Sequence, residues 1–355
     1  MRNRLYTKGK MKERLKWVDC LRMFAIFSIY LYHFGDASGK AYLFTNLYHI
    51  KLFFFISGFF FTEIITSEEL GKRLIKIVYR VAIPTFLYIV INIAFLFVVN
   101  KYSIEQALPI IKAFLAMKKG SGIGGLWFLG CFLFMSVFHC FVSYLVKNKY
   151  VVFLLSLFLV LYVHFANPFN FEGHLIASAD LIPQYWIYYS LGSIVFPILN
   201  KMETSNSKRT EMLRLVLLAL SGIYTVFCYA SERFVVFGNI PLYGFWGAII
   251  LFLFFTIISQ YIAKLLNERS IILEIGKATF VLCATEIMTR RIITGIFSVV
   301  GVELEAGSTI TAVLLTLLYL LFGFFLWYKC IASIFPILNG HYSPKRNLKH
   351  TIQDS

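Results

Sequence analysis

The chain has 355 residues, 59% of them hydrophobic and 18% aromatic, with a formal net charge of +16 and a mean hydropathy of +0.74. That composition excludes a water-soluble globular protein, because apolar stretches long enough to span a bilayer recur along its whole length. They are continuously apolar rather than alternating, which excludes a β-barrel and predicts an all-α integral membrane protein.

About ten transmembrane helices are expected, at roughly 17–35, 43–66, 77–100, 124–146, 150–166, 181–200, 212–230, 241–263, 271–299 and 308–337. If both termini are cytoplasmic, the inner segments carry 23 of the Lys and Arg residues and the outer loops 6. This is the positive-inside asymmetry, and it predicts an N-in, C-in chain in the cytoplasmic membrane. The basicity is therefore orientation rather than a nucleic-acid footprint. Three parts are expected: a basic cytoplasmic tail over 1–16, a membrane domain over 17–337 and a polar cytoplasmic tail over 338–355. The first tail is suited to anionic lipid head groups.

The first apolar segment carries Asp19, Arg22 and His33. It follows a basic stretch as a signal peptide would, but it lacks a small-residue cleavage site and is read as a retained anchor. Eleven helical residues rise about 16 Å and turn three times plus roughly 20°, so Arg22 and His33 share one face, near opposite membrane surfaces. Asp19 falls within roughly 40° of the same line. The alternatives are a face looking into a protein cavity, hence a functional site, or a snorkelling Arg with an interfacial His.

The second segment runs His49-Ile-Lys51-Leu-Phe-Phe-Phe-Ile-Ser57-Gly58-Phe. Its small Ser57-Gly58 pair reads first as a close helix-packing point, and Lys51 as snorkelling. Between Gly71 and Pro84, Arg73, Lys76 and Arg80 form a basic stripe at the inner surface. Ordinary positive-inside charge accounts for Lys72 and Lys76. Arg80, a turn deeper, better suits an anionic cytoplasmic ligand carrying phosphates. Residues 100–123 form the longest external segment and end in a glycine-rich run, read as a flexible loop. Trp127, at the start of the fourth helix, is a common belt residue and says little alone.

The ninth segment holds Glu274, Lys277, Glu286, Arg290 and Arg291, which marks it as interior or broken. Glu286 and Arg290 stand at i, i+4 and can neutralise each other. His139 and His164 read as satisfied core or interface residues. The six cysteines lie in apolar spans without metal-ligand spacing and read as small core residues. No metal pair, Gly-x-Ser-x-Gly elbow or Walker motif occurs, so no metal site is expected and ATP-driven transport is disfavoured.

Taken together, Asp19, Arg22-x10-His33, Phe-Phe-Phe-Ile-Ser57-Gly58-Phe, Arg73 to Arg80 ahead of Pro84, Leu-Trp127-Phe-Leu and Ile-Gly276-Lys277-Ala-Thr279-Phe resemble the acyltransferase-3 family of integral membrane O-acyltransferases, over about residues 14–330. The resemblance implies ten helices and acetyl-CoA or another acyl-CoA as a donor substrate, with no permanently bound cofactor. By resemblance His33 is the catalytic base or acyl relay, and Arg22 and Asp19 are expected as catalytic residues with it. Arg22 and Arg73 or Arg80 would contact CoA, Ser57 would position substrate, and Trp127 would wall the cavity. Where the family often has a Tyr-Leu-x-His ending, this chain has Cys283-Ala284-Thr285-Glu286, so Glu286 replaces a second histidine. The expected activity is acetyl transfer to a hydroxyl of a surface polysaccharide or lipid-linked glycan precursor, in company with separate glycan-assembly proteins. The alternatives are a transporter or flippase using the same polar cavity, and an acyltransferase for a small-molecule acceptor.

Overall fold

The structure is a computed structural model that describes residues 14–100, 104–166, 175–231 and 243–340. The basic run before Arg14 and the polar tail from 341 lie outside the described residues. Helices α1 (Lys16–Tyr32), α2 (Lys40–Asn46) and α3 (His49–Gly58) come first, followed by α4 (Ser67–Val99) and α5 (Ile104–Ala116). Then come α6 (Leu126–Val146), α7 (Lys149–Ala166), α8 (Ile182–Thr204), α9 (Lys208–Ser231) and α10 (Tyr243–Leu265). Helices α11 (Ile271–Lys277), α12 (Thr279–Val299) and α13 (Thr309–Ile334) complete the chain. No strand occurs among the described residues.

Among the described residues five helices, α4, α6, α9, α10 and α13, are long and apolar enough to cross a membrane. The molecule is inside-out relative to a soluble protein. Phe158, Phe165, Ile223 and Val226 are exposed on the periphery, while Ser156, Ser190, Thr256, Ser259 and Gln260 are buried. That is the distribution a hydrocarbon solvent selects.

Several expected boundaries move. The 43–66 stretch is two short helices broken at Leu47-Tyr48, followed by non-helical backbone from Phe59, instead of one span. The chain turns where Gly58 meets α8. A Cβ on Gly58 would lie 2.0 Å from the Tyr189 carbonyl oxygen, and one on Gly192 would lie 2.0 Å from that of Phe55. The two helices therefore touch backbone to backbone, and the small-residue packing reading of Gly58 holds. Gly58→Val is expected to destabilise the protein by about 2–3 kcal/mol through enforced helix separation, read as a lower melting temperature in detergent.

Residues 67–76, expected as a cytoplasmic loop, already belong to α4. A capping box, Thr66 with Glu69, starts that helix a full three turns early. Within it Val78–Ala82 form a π-turn just before Pro84, whose missing N–H interrupts the regular ladder. The expected 100–123 loop contains α5, with only its last part irregular. The ninth segment is broken at Ala278 into α11 and α12.

Helix α1 is the hub of the bundle, packed against α3, α10, α11, α12 and α13. Its Leu21, Ala25, Ile26 and Tyr30 are fully enclosed. The backbone of α11 reaches it most closely, since a Cβ on Gly276 would lie 1.8 Å from the Asp19 carbonyl oxygen. That contact supplies a physical reason for a glycine in the Ile-Gly276-Lys277 motif.

Candidate active site

The polar face of α1 looks into protein, not lipid. At its N-terminal end Arg14 Nε donates to Asp19 Oδ2 at 2.8 Å and Arg22 Nη1 donates to Asp19 Oδ1 at 3.2 Å. Asp19 thus organises the basic end of the helix, about 21 Å of helical rise from His33, and does not meet the histidine. Arg22 is 31% exposed, with its guanidinium 5.3 Å from the centre of the Phe60 ring.

Arg22, Ser57 and Phe132 line two adjoining hollows of about 500 and 230 Å³. The larger opens between Arg73, Lys76 and Arg80. The stripe expected from the sequence therefore converges on one cavity with Arg22. Arg73 is fixed there by donating to the Phe60 carbonyl at 3.1 Å and by lying over Phe61 at 5.1 Å. The smaller hollow runs inward past Lys277 and Thr279 to Phe53, Phe128 and Cys283. Ser57 faces both, its hydroxyl donating to the Phe53 carbonyl at 2.7 Å. Gly58, by contrast, is spent on helix packing.

At the other end of α1 the helix stops at His33, and Gly35, with φ +58°, turns the chain away. His33 Nδ1 lies 2.5 Å from Glu286 Oε1. An ionised carboxylate only accepts, so it favours the imidazole tautomer with the proton on Nδ1 and the lone pair on Nε2. Glu286 is 2% exposed and its Oε1 also accepts from Arg290 Nε at 3.0 Å. Its Oε2 is buried without a hydrogen bond.

Arg290 is held in turn by donating through Nη2 to the Tyr30 carbonyl at 2.6 Å and by lying 4.6 Å from the centre of the Phe34 ring and 5.4 Å from that of Tyr319. Two further bonds fix the rotation of α12. Tyr30 donates its phenol proton to the Leu282 carbonyl at 2.9 Å, and Asn92 Nδ2 donates to that of Ala284 at 3.0 Å. Both are needed because a rotation of even a third of a turn would aim Glu286 elsewhere.

His33 opens onto a third cavity, of about 410 Å³, lined also by His49, Lys51, Lys119, Trp127 and Tyr185. Trp127 is 7% exposed and forms part of its wall, with the Lys119 ammonium 5.7 Å from the ring centre. Only about one helical turn, near 4.5 Å of rise, separates Cys283 in the basic hollow from Glu286 beside His33. The histidine–carboxylate pair therefore stands between two cavities that open towards opposite ends of the bundle.

The arrangement can hold an anion at one end, hold a hydroxyl compound at the other, and move a proton at His33 Nε2. Among the described residues no three His, Cys, Asp or Glu side chains come together as a metal site. His139 accepts from Trp186 Nε1 at 2.8 Å and is buried against Phe61 and Tyr189, behind the wall of the basic cavity. None of the six cysteines forms a disulfide, and five are buried as small core residues, Cys330 being exposed.

The Glu286–His33 partnership, Arg290, and the cavity residues His49, Lys51, Lys119, Lys277 and Thr279 were not assigned to a site from the sequence. Signals existed for Glu286, which stands where the family often places its second histidine, for Arg290 through its i, i+4 spacing from Glu286, and for Lys277 and Thr279 as part of a motif that carries the resemblance. Lys51, expected to snorkel, turns into the cavity.

Neither the functionally characterised proteins nor the solved structures compared with this chain give a match. The family comparison does: the acyltransferase-3 model, described as an acyltransferase domain, matches residues 15–332. That stretch contains both cavities and the whole His33–Glu286–Arg290 array, and the chain accordingly belongs to the acyltransferase-3 family and is a multi-pass membrane acyltransferase.

Proposed function

We propose that the protein resides in the cell membrane, takes an acetyl or other acyl group from cytoplasmic acyl-CoA and delivers it to a hydroxyl of an extracytoplasmic glycan or lipid-linked glycan precursor. The observation that carries this reading is the His33–Glu286 pair standing between a basic cavity and a second cavity at the far end of α1.

In this reading the phosphates of CoA sit among Arg22, Arg73 and Arg80, where guanidinium groups offer bidentate hydrogen bonds. The pantetheine arm, comparable in length to the rise of about 16 Å from Arg22 to His33, runs through the narrower hollow past Ser57 and Phe128. The acceptor enters from the other side, along Trp127. His33 Nε2 takes the proton of the acceptor hydroxyl as its oxygen attacks the thioester carbonyl. The C–S bond then breaks, and the imidazolium returns the proton to the CoA sulfur. Glu286 holds the productive tautomer and stabilises the imidazolium, as the carboxylate of a catalytic triad does. Arg290 keeps that carboxylate in place.

The reading is tested by reconstituting the purified chain in vesicles and following labelled acetyl from acetyl-CoA into glycan. NMR of surface glycan from a deletion strain provides the second test. An unchanged O-acetyl signal overturns the glycan acceptor. Arg73→Gln is expected to raise the donor KM about tenfold with kcat little changed, since one charge-assisted hydrogen bond to phosphate is lost. Saturation kinetics with acetyl-CoA check this.

A further inference from the structure

The cavity at the His33 end has a charge character that acyl transfer alone does not require. Two ammonium groups, Lys51 and Lys119, line it, and no Asp or Glu does. Neither lysine forms an ion pair among the described residues. The Lys51 Nζ has only the face of Tyr188, 5.9 Å from the ring centre. It projects from the short helix α3, whose other polar side chains are His49 and Ser57, and turns into the molecule. An ammonium so enclosed is costly without a counter-charge.

The same wall presents His49, 3% exposed. Its Nδ1 donates to the Thr45 carbonyl at 2.8 Å, which leaves the lone pair on Nε2, and Nε2 is buried without a hydrogen bond. The ring is stacked on Tyr32 at 4.2 Å, and Tyr32 precedes His33. The cavity thus combines two unbalanced cations, one unused acceptor and the proposed base within about 410 Å³.

We infer that this cavity selects an acceptor bearing an oxyanion, phosphate or carboxylate, close to the hydroxyl that is acylated. Lys51 and Lys119 are the counter-charges, and His49 Nε2 accepts a hydrogen bond from a neighbouring hydroxyl. The inference rests on the acyl-transfer reading for the identity of the hydroxyl, but the charge selectivity stands on the cavity itself. Two sources share this chemistry: the phosphate of a lipid-linked sugar and the carboxylate of an acidic glycan.

The test measures binding of glucose 1-phosphate, glucuronic acid and glucose to the purified full chain, with saturating coenzyme A present to fill the basic cavity. At least one anionic sugar is expected to bind about tenfold or more tighter than glucose, and its advantage to shrink at high salt. Preference for glucose 1-phosphate points to the sugar-phosphate source and preference for glucuronic acid to the acidic glycan. The double variant Lys51→Gln, Lys119→Gln is expected to lose the advantage, and Lys51→Arg, Lys119→Arg to regain it. Retained binding of labelled coenzyme A shows that the variants are folded. Equal binding of the three sugars, no binding of any, or an anion preference that survives the double Gln variant overturns the inference. If labelled coenzyme A itself fails to bind the unaltered chain, the acyl-CoA reading falls instead, and the response of sugar binding to the lysine variants is still decisive for the cavity.

Discussion

Replacing His33 with alanine is expected to lower acyl transfer by about 10²–10⁴-fold, the range lost when a general base is removed. The donor KM should change little, because the CoA phosphates are assigned to Arg22, Arg73 and Arg80 near the opposite end of α1. His33 is at the helix terminus and 26% exposed on its side chain, so its loss leaves no cavity in the core. It does free Oε1 of Glu286 from one of two partners, while Arg290 still neutralises the carboxylate. The variant should therefore fold, bind labelled acetyl-CoA and fail to transfer. The measurement is transfer of labelled acetyl under saturating donor, alongside donor binding. Transfer within a few-fold of the unaltered protein would remove His33 from the chemistry and with it the proposed route between the cavities.

Much of this site was legible before the structure was seen. Helical periodicity alone puts Arg22 and His33 on one face of one helix, while the choice between a cavity face and a snorkelling Arg with an interfacial His needs the packing around α1. Local spacing likewise paired Glu286 with Arg290 and converged Arg73, Lys76 and Arg80. The small Ser57-Gly58 pair marked a close helix approach, and Gly58 makes that approach against Gly192 of α8.

What was not legible is long-range. His33 and Glu286 are 253 positions apart, and nothing local in either sequence segment specifies which helix faces which. Asp19 illustrates the same limit in reverse. Its angular position agreed with that of His33, yet along the axis it is two cations, Arg14 and Arg22, that it meets. Lys51 looked like a snorkelling residue because the sequence contains the stem and charge but not the break at Leu47-Tyr48. That break shortens α3 and turns its first residues toward the cavity. Element boundaries moved where a side-chain cap or a backbone contact outweighed hydropathy, as at Thr66 and at Ala278.

Glu286→Gln is expected to lower kcat about 10³-fold while leaving the donor KM nearly unchanged. The argument turns on which way the hydrogen bond runs. The carboxylate can only accept, so it holds the proton on His33 Nδ1 and leaves Nε2 free to act as base. A carboxamide can instead present its N–H₂ to Nδ1, which selects the opposite tautomer and blocks the base; the equivalent exchange in a serine-protease triad costs about 10⁴-fold by this route. Because Oε1 is the atom that meets both His33 Nδ1 and Arg290 Nε, an N–H₂ turned to the histidine also faces Arg290, which then rests on its bond to the Tyr30 carbonyl and on the Phe34 and Tyr319 rings. Glu286→Leu removes the polar group altogether and leaves the Arg290 charge without a carboxylate in the protein interior, a change that costs about 3–5 kcal/mol in stability.

The two variants therefore separate positioning from structure. The Gln variant, which keeps a polar group of the same shape, should melt above the Leu variant and be catalytically poor, the Leu variant should be both poor and the less stable of the two, and Glu286→Asp should recover part of kcat. If Gln and Leu variants lose stability and activity in parallel, with no recovery in Asp, Glu286 only holds the fold, and His33 obtains its tautomer from elsewhere. The same outcome would mean that the family's histidine position has become a structural site in this chain. Retained kcat in the Gln variant would show that the 2.5 Å contact is not part of the catalytic path.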